Sequence, residues 1–287
     1  MLASLAGVLF DGFAYGMLLF LLSVGLSVTL GMMNFVNLAH CSFAMVGGYA
    51  TVTLMNSFGW PFLATLPMAF VFGALVSIIL ERTLYRRLYR SSDLDQCLLT
   101  IGIVFISVAA FAWFYSTEQQ SARAPAWLRG SVELAGINFA VYRLFLIVFG
   151  LAVTAVLIFG LEYTRFGAQV RAAVDNQRMA RGLGIDVDRA FMLTFALGGG
   201  LAGLGGALAI EVVGLDPTFA LAYLVYVLIV VAVGGLGSIG GSFAAAAVLG
   251  ISDMAGKYYF PWLGAFLIYL VMVGLLMWRP QGLFGKR

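Results

Sequence analysis

Charged residues are scarce in this 287-residue chain, where Asp, Glu, Lys and Arg together occupy only 10% of the positions. Soluble domains carry about 25% charged residues, so the composition excludes an ordinary soluble protein. Histidine occurs once and the acidic residues do not cluster, which argues against a metal site. The two cysteines, Cys41 and Cys97, do not resemble a disulfide pair, and we interpret both as unreactive buried thiols.

Sequence motifs for catalysis are lacking as well. The chain has no G-x-x-x-x-G-K-[ST] loop, so we do not expect it to bind ATP in the usual way. It also has no G-x-S-x-G nucleophile motif followed by a suitable acid and base. The glycine-rich stretch 198–209 follows an apolar run rather than a strand, so close helix packing explains it better than nucleotide binding. We therefore predict a protein that is not an enzyme and holds no cofactor.

Apolar residues dominate what is present, at 62% of the chain with a mean hydropathy of +1.02. Apolar runs of a length that spans a bilayer recur from end to end, which predicts a helical bundle in a membrane. We expect an all-α, polytopic membrane protein forming a single transmembrane domain over 1–287, with about nine spans and interrupted helices. The predicted spans lie near residues 9–30, 34–55, 61–81, 97–115, 143–161, 191–211, 218–236, 240–256 and 262–278.

The distribution of basic residues predicts the orientation of these spans. Twelve of the 16 Lys and Arg residues follow spans three, five and nine, on one side of the membrane. The positive-inside rule then places the C-terminus in the cytoplasm and the N-terminus outside. The eighth span is short, and a re-entrant segment is the alternative there, although it would reverse span nine and spoil the charge asymmetry.

A polar cluster interrupts the apolar sequence at "NFVNLAHCSFAMVGG", residues 34–48. On a helix beginning near Asn34, residues 34, 37, 41, 44 and 48 would share one stripe, with His40 beside it. Two interpretations remain open. The asparagines cap the helix and His40 bonds a neighbouring carbonyl group, or the stripe lines or gates a translocation path.

A second break precedes span eight, and its sequence partly repeats the first. Ser-Phe-Ala occurs at 42–44 and again at 242–244, and each copy follows a stretch punctuated by glycine or asparagine. Interrupted segments in corresponding positions of two halves point to a transport site. The candidate pathway residues are therefore Asn34, Asn37, His40, Cys41, Ser42, Gly235, Gly237 and Ser238.

The segment 163–190 is the most informative loop, and we predict a short helix in it rather than disorder. Arg171, Asp175 and Arg178 have the i, i+4, i+7 spacing that would place opposite charges side by side on one face. "GLG" at 182–184 supplies a stop for this helix. A charged cytoplasmic helix of this kind suggests a docking site for a partner, and the alternative is a solvated linker that obeys the positive-inside rule.

Ionisable residues inside the predicted spans are too few to drive transport. Besides His40 there are Glu81, Glu211 and Asp253, and all three acids lie near span ends. A carrier driven by protons or sodium usually needs an acidic or broken-helix site near the midplane. If the chain transports a solute, its energy therefore comes from outside the chain.

Several sequence blocks resemble LivH-type permeases, the membrane subunits of ABC importers for branched-chain amino acids. The blocks follow the family order over nearly the whole chain: "GLSVTLGMMNFVNLAHCSFAMVGGYA" (25–50), "RFGAQVRAAVDNQRMARGLGIDVDRAFMLTFALGGGLAGLGGAL" (165–208), "VAVGGLGSIGGSFAAAAVLG" (231–250) and "WRPQGLFG" (278–285). Cys41 replaces the usual glycine after the histidine. The "RAA" at 171–173 also lacks the glycine that the coupling loops of other importers carry four residues further on.

The resemblance implies a subunit that works only with partners. These are a second, LivM-like permease, two cytoplasmic ATPases that use Mg-ATP, and a periplasmic binding protein. The implied location is a bacterial inner membrane, where the chain contacts lipid, and no nucleic acid partner is expected. The implied cargo is a branched-chain or related hydrophobic amino acid. The implied ATPase-coupling residues are Arg165, Gly167, Arg171, Asp175, Arg178, Arg181 and Gly184. The alternative is a stand-alone channel or facilitator for small neutral solutes such as urea or amides.

Overall fold

The structure is a computed structural model that describes residues 2–33, 35–89, 91–122, 124–134 and 137–285. Its α-helices, in chain order, are α1 (Leu2–Met33), α2 (His40–Asn56), α3 (Phe62–Leu80), α4 (Arg86–Leu88), α5 (Asp93–Tyr115), α6 (Val141–Glu162), α7 (Arg165–Asp175), α8 (Gln177–Gly182), α9 (Val187–Val213), α10 (Phe219–Gly234), α11 (Ile239–Tyr259) and α12 (Gly264–Trp278). A π-helical turn, Glu81–Tyr85, joins α3 to α4. An antiparallel hairpin of β1 (Ser131–Leu134) and β2 (Ile137–Ala140) precedes α6.

The helices agree with the predicted class of an all-α polytopic membrane protein. Among the described residues, six helices are long and apolar enough to cross a bilayer, namely α1, α3 with its extension to Leu88, α5, α6, α9 and α11. The other three predicted spans correspond to the shorter helices α2, α10 and α12, of 17, 16 and 15 residues. The count of nine spans therefore stays a prediction. Helix α11 is continuous over 21 residues, which is long enough to cross rather than re-enter.

Helices α1 and α9 form the centre of the bundle. Every residue of 14–29 in α1 is buried, as expected for a helix that is apolar on all sides. Helix α9 packs on α1, α2 and α3 through its glycines. A Cβ at Gly198 would overlap Gly25 of α1, and a Cβ at Gly203 would overlap the carbonyl of Ala69 in α3. The glycine-rich stretch 198–209 is thus a helix-packing surface, as its sequence context predicts.

The predicted start of the second span was wrong by six residues. Helix α2 begins at His40 rather than near Asn34, and residues 35–39 are not helical. Asn37 helps to keep this stretch non-helical, because its Oδ1 accepts a hydrogen bond from the N–H of Ala39 at 3.1 Å and so competes with helical bonding. The predicted stripe 34, 37, 41, 44 and 48 therefore does not lie on one helix. Asn34 itself lies outside the described residues.

The predicted helix within 163–190 is broken in two. Helix α7 ends at Asp175, Asn176 has an extended backbone, and its Oδ1 caps α8 by accepting from the N–H of Met179 at 3.0 Å. Arg171, Asp175 and Arg178 therefore do not share a continuous helical face, which corrects the predicted arrangement. The predicted stop is confirmed, because α8 ends at Gly182 and Gly184 has a positive φ of 80°.

Candidate translocation pathway and coupling segment

The non-helical residues 35–39 turn back into the bundle before α2 begins. Phe35 is buried, and its ring contacts those of Tyr85, Tyr89 and Phe195 at centroid distances of 5.1, 5.7 and 5.6 Å. The first residue of α2, His40, lies beside Leu22, which precedes the end of α1 by eleven residues, or about 16 Å of helix. Helix α2 therefore starts within the bundle, not at its edge.

Polar contacts hold this return segment against α5 and the extension of α3. The N–H of Val36 donates to Oε1 of Gln96 at 3.0 Å, and the Gln96 amide nitrogen donates to the carbonyl of Leu88 at 3.2 Å. The hydroxyl of Tyr85 donates to Oδ1 of Asn37 at 3.3 Å. The extension itself is tied by Tyr89, whose hydroxyl donates to the buried Glu81 at 2.7 Å. Burial and this carboxylate raise the pKa of Tyr89.

The side chains of the predicted cluster point to different neighbours. His40 Nε2 lies 3.1 Å from the carbonyl oxygen of Leu22, which agrees with the interpretation that it bonds a neighbouring carbonyl. Cys41 is buried in the apolar core. The hydroxyl of Ser42 instead faces α5, 2.8 Å from the hydroxyl of Ser107. The cluster therefore divides between a contact with α1 and a contact with α5.

Unpartnered polar atoms concentrate along the return segment and α2. Among the described residues, five buried side-chain atoms have no hydrogen-bond partner, and four of them belong to residues 37–51. These four are Asn37 Nδ2, His40 Nδ1, Tyr49 Oη and Thr51 Oγ1. Buried polar atoms in native structures are nearly always bonded, so a group of exceptions marks a site that needs an explanation.

The seam between α2 and α5 continues from Ser42 toward the end of the bundle opposite α7 and α8. Tyr49 stacks on Phe111 at 4.5 Å, and its ring centroid also lies 4.5 Å from that of Tyr115. Thr53 Oγ1 lies 2.7 Å from the Tyr115 hydroxyl. Beyond these rings is a cavity of about 600 Å³ lined by Val52, Thr53, Asn56, Ser57, Phe111, Phe114, Tyr115 and Gln120.

Sequence reasoning missed the α5 side of this seam. Ser107, Phe111 and Tyr115 follow one another at i, i+4 and i+8, so they share a face of α5. That spacing, inside a run of mostly apolar residues, is a signal that was available. It does not by itself show that the face meets α2, because apolar periodicity does not identify which helix is the neighbour.

The second predicted break lies at the other end of the bundle, beside the end of α1. Gly237, with a φ of 77°, packs directly on Gly31, and Gly235, with a φ of 93°, packs on Gly285. The Ser238 hydroxyl caps α11 by accepting from the N–H of Gly241 at 3.0 Å. These residues form a tight turn between α10 and α11, and the structure does not bring them to the α2–α5 seam.

The coupling segment, defined here as α7 with α8, has a small apolar core of its own. Val170, Ala173 and Ala180 are buried against the first turns of α9, and Met33 at the end of α1 packs on this cluster. Gly167 lies directly on the backbone of Leu161, where a Cβ would overlap. The segment is therefore fixed to the ends of α1, α6 and α9, and it is not a free linker.

The charged residues of the coupling segment divide into anchored and free groups. The Arg171 guanidinium donates to the carbonyl groups of Leu161 and Glu162 at the end of α6. Arg181 donates to Asp188 at 3.1 Å, and Asp188 also pairs with Arg86. Three charged residues among the predicted coupling residues are exposed and have neither an ionic partner nor a side-chain hydrogen bond among the described residues: Arg165, Asp175 and Arg178.

The exposed side of α8 also carries large apolar side chains. Met179 is 62% exposed and Leu183, which follows the end of α8, is 77% exposed. Met179 is next to the unpaired Arg178, and Leu183 is next to the exposed Gly184. An apolar pair beside unpaired basic groups is a surface that fits a protein partner better than water.

The three acids of the spans all have partners within the chain. Asp253 is completely buried and pairs with Lys257 at 2.5 Å, one turn further along α11. Glu211 accepts from the N–H of Ala124 at 3.1 Å, and Glu81 accepts from Tyr89. In the described ranges, no group of three or more His, Cys, Asp and Glu residues could hold a metal ion.

These features define a polytopic helical membrane protein of the permease class, with a polar seam through its bundle and a structured segment at one end. The chain belongs to the family described as the branched-chain amino acid transport system permease component, whose model matches residues 8–276. The match begins within α1 and ends within α12, so it includes every helix of the bundle at least in part.

The LivH relatives are similar over nearly their full length, and a LivM relative is similar over about two thirds of its length. The probable branched-chain amino acid transport permease protein LivH of Methanocaldococcus jannaschii is 29% identical, over 94% of this chain and 90% of the relative. The high-affinity permease LivH of Escherichia coli is 25% identical, over 97% of this chain and 94% of the relative. The LivM permease of Escherichia coli is also 25% identical, over 93% of this chain and 68% of the relative. No solved structure matches the chain significantly.

Proposed function

We propose that this chain is the permease subunit of an ABC importer and translocates branched-chain or related hydrophobic amino acids. The family match over residues 8–276 carries the proposal, and the relatives named LivH give the substrate class. The pairing of Glu81, Glu211 and Asp253 with neighbouring groups supports an external source of energy, since a driving ion usually needs a free acid near the midplane.

The α2–α5 seam is the proposed translocation pathway. The unpartnered polar atoms of Asn37 and Tyr49 offer hydrogen bonds to the charged groups of an amino acid. The stacked rings of Tyr49 and Phe111 offer an apolar surface to its side chain, and they lie between the cavity beside Asn56 and Gln120 and the Ser42–Ser107 contact. The seam has no charged pair that would bind the substrate tightly, which suits a path that must release it.

The ATPase contact is proposed from the surface of the coupling segment, and the other partners are proposed from the family and its LivM relatives. The exposed face of α8, with Arg178, Met179 and Leu183, is the proposed contact for a cytoplasmic ATPase that hydrolyses Mg-ATP. A second, LivM-like permease completes the membrane part, and a periplasmic binding protein delivers the substrate. The proposed location is a bacterial inner membrane, with the coupling segment and the C-terminus on the cytoplasmic side. The end that carries the α2–α5 cavity is called the outer end below.

The test is transport in proteoliposomes with each component added in turn. Uptake of radiolabelled leucine is expected only when both permeases, the ATPases, ATP and the binding protein are present. Uptake by the purified chain alone, down a gradient, would contradict the proposal. A swelling assay of the same chain with urea and amides tests the facilitator alternative directly, and rapid swelling would favour it.

A further inference from the structure

Two short segments at the outer end of the bundle pair with each other. Gln120 follows α5 and Leu215 follows α9, and they form an isolated antiparallel bridge. The N–H of Gln120 donates to the carbonyl of Leu215 at 2.7 Å, and the N–H of Leu215 donates back at 3.2 Å. Two distant parts of the sequence are thus joined by a single pair of backbone hydrogen bonds.

Both segments leave their helices through the same unusual backbone conformation. Ser116 after α5 has φ 67° and ψ 174°, and Gly214 after α9 has φ 74° and ψ 175°. Glycine adopts this region freely, whereas serine is strained there. Such strain persists only where surrounding contacts enforce it. Breaking the Gln120–Leu215 bridge would therefore allow Ser116 to relax to an unstrained conformation.

Side chains reinforce the bridge with a few neutral hydrogen bonds. Gln119 Nε2 donates to the carbonyl of Val213 at 2.9 Å, and the Gln119 side chain occupies the space where a Cβ on Gly214 would stand. Gln120 Nε2 donates to the carbonyl of Tyr115 at 3.1 Å. These bonds involve exposed or half-buried groups, so each contributes no more than an ordinary hydrogen bond and can be exchanged for water.

The bridge lies over the mouth of the outer cavity. Gln120 is part of the cavity wall, and Asn56 of the same wall donates to the carbonyl of Ser121 at 3.3 Å. Leu215 is completely buried and packs on Gly48 of α2. The paired segments therefore connect α2, α5 and α9 at the point where the cavity meets the outside.

We propose that residues 119–121 and 213–215 form a clasp that closes the outer mouth of the α2–α5 pathway and must open for substrate to enter. The assignment of the cavity as a pathway rests on the proposed function. The clasp itself rests on the bridge, the strained Ser116 and the position of Gln120 in the cavity wall. Docking of a binding protein at the outer end is the event that would open it.

A reversible cross-link tests whether the clasp opens during transport. Residues that form a hydrogen-bonded antiparallel pair have Cα atoms about 5.5 Å apart, which suits a disulfide. Gln120→Cys with Leu215→Cys, in a Cys97→Ser background, is assembled with the ATPases and the second permease. Oxidation should reduce binding-protein-dependent uptake at least ten-fold and reduction should restore it, while the uptake of each single-cysteine variant should not change between oxidising and reducing conditions.

The outcomes separate the clasp from the proposed function. If the oxidised, fully cross-linked protein transports as well as the reduced protein, the clasp is wrong and the transport function stands. If the complex with the unmodified chain does not transport at all, the proposed function fails instead.

A labelling measurement tests the clasp without any transport. Gln119→Ala removes the bond to Val213 and should raise the rate at which a water-soluble maleimide labels Thr53→Cys about five-fold, the effect expected from losing one ordinary hydrogen bond. Gln169→Ala, an exposed change on the coupling segment, is the matched control and should leave the rate unchanged. Equal rates in both variants would contradict the clasp.

Discussion

Individual polar residues in this bundle are explained by their immediate partners. His40, the only histidine, has one nitrogen against the Leu22 carbonyl and the other without a partner among the described residues. Its first contact is structural, while the free Nδ1 leaves a role in the pathway open to test. Asn37 similarly combines a turn, through Ala39, with a free amide nitrogen. Caps and pathway groups can therefore be the same residues.

Two arginines of the coupling segment should respond differently to charge reversal. Arg178→Glu alters an exposed, unpaired side chain, so we expect normal folding but at least a five-fold loss of uptake per ATP hydrolysed. Arg171→Glu removes donors from the end of α6 and places a carboxylate beside carbonyl oxygens, so we expect a loss of about 1–3 kcal/mol of stability. Thermal unfolding in detergent and coupled uptake and ATPase assays separate the two effects.

The matched control for this pair is Arg87→Glu. Arg87 is exposed, lies outside the coupling segment and has no hydrogen bond or ionic partner among the described residues. The same charge change there should leave both stability and the ratio of uptake to hydrolysis unaltered. Equal coupling in the Arg178 variant and in this control would show that α8 is not the ATPase contact.

At the level of elements, helix packing depends on backbone contact through glycine. Gly47→Ala would place a methyl group on the backbone of Gly203, where α2 crosses α9. Because backbone cannot move aside as a flexible side chain can, we expect a loss of about 1–3 kcal/mol and a clear drop in melting temperature. Gly102→Ala on α5 faces open space and should change neither melting temperature nor expression. Similar unfolding curves for the two variants would refute the packing argument.

The sequence predicts the helices better than the points where they break. Apolar runs identify membrane helices, because each backbone group must be bonded within the helix in lipid. The start of α2 and the break at Asn176 depend instead on single side-chain bonds, Asn37 to Ala39 and Asn176 to Met179. Asparagine signals such a break but not its exact residue, since the same side chain can cap a helix or end one.

Some features of the candidate site can likewise be predicted from the sequence, whereas others cannot. Composition places Ser42 and Asn37 in an apolar segment and so marks them as functional candidates. The pairing of Ser42 with Ser107 depends on which helices are neighbours in the bundle, and no local pattern contains that information. Gly235 and Gly237 carry a similar sequence signal but form a structural turn, because the φ angles they adopt suit glycine.

At the level of the whole molecule, α9 connects the two proposed functional ends. Its first turns contribute Val187 and Phe191 to the core of the coupling segment. Its last residue, Val213, accepts the hydrogen bond from Gln119 in the clasp. A helix of 27 residues spans about 40 Å, which is the full thickness of a membrane with its interfaces. A shift of α9 driven from the coupling segment would therefore reach the outer mouth directly.

This arrangement requires the two ends to lie on opposite sides of the membrane, which labelling in intact cells can test. Ser57→Cys in the outer cavity wall should react with a membrane-impermeant maleimide added outside. Gln177→Cys, exposed on α8, should react only after the cells are permeabilised. Both variants carry Cys97→Ser, and Cys41 is buried. Labelling of Gln177→Cys in intact cells would reverse the orientation deduced from the basic residues. It would also place the clasp on the cytoplasmic side, beyond the reach of a periplasmic binding protein.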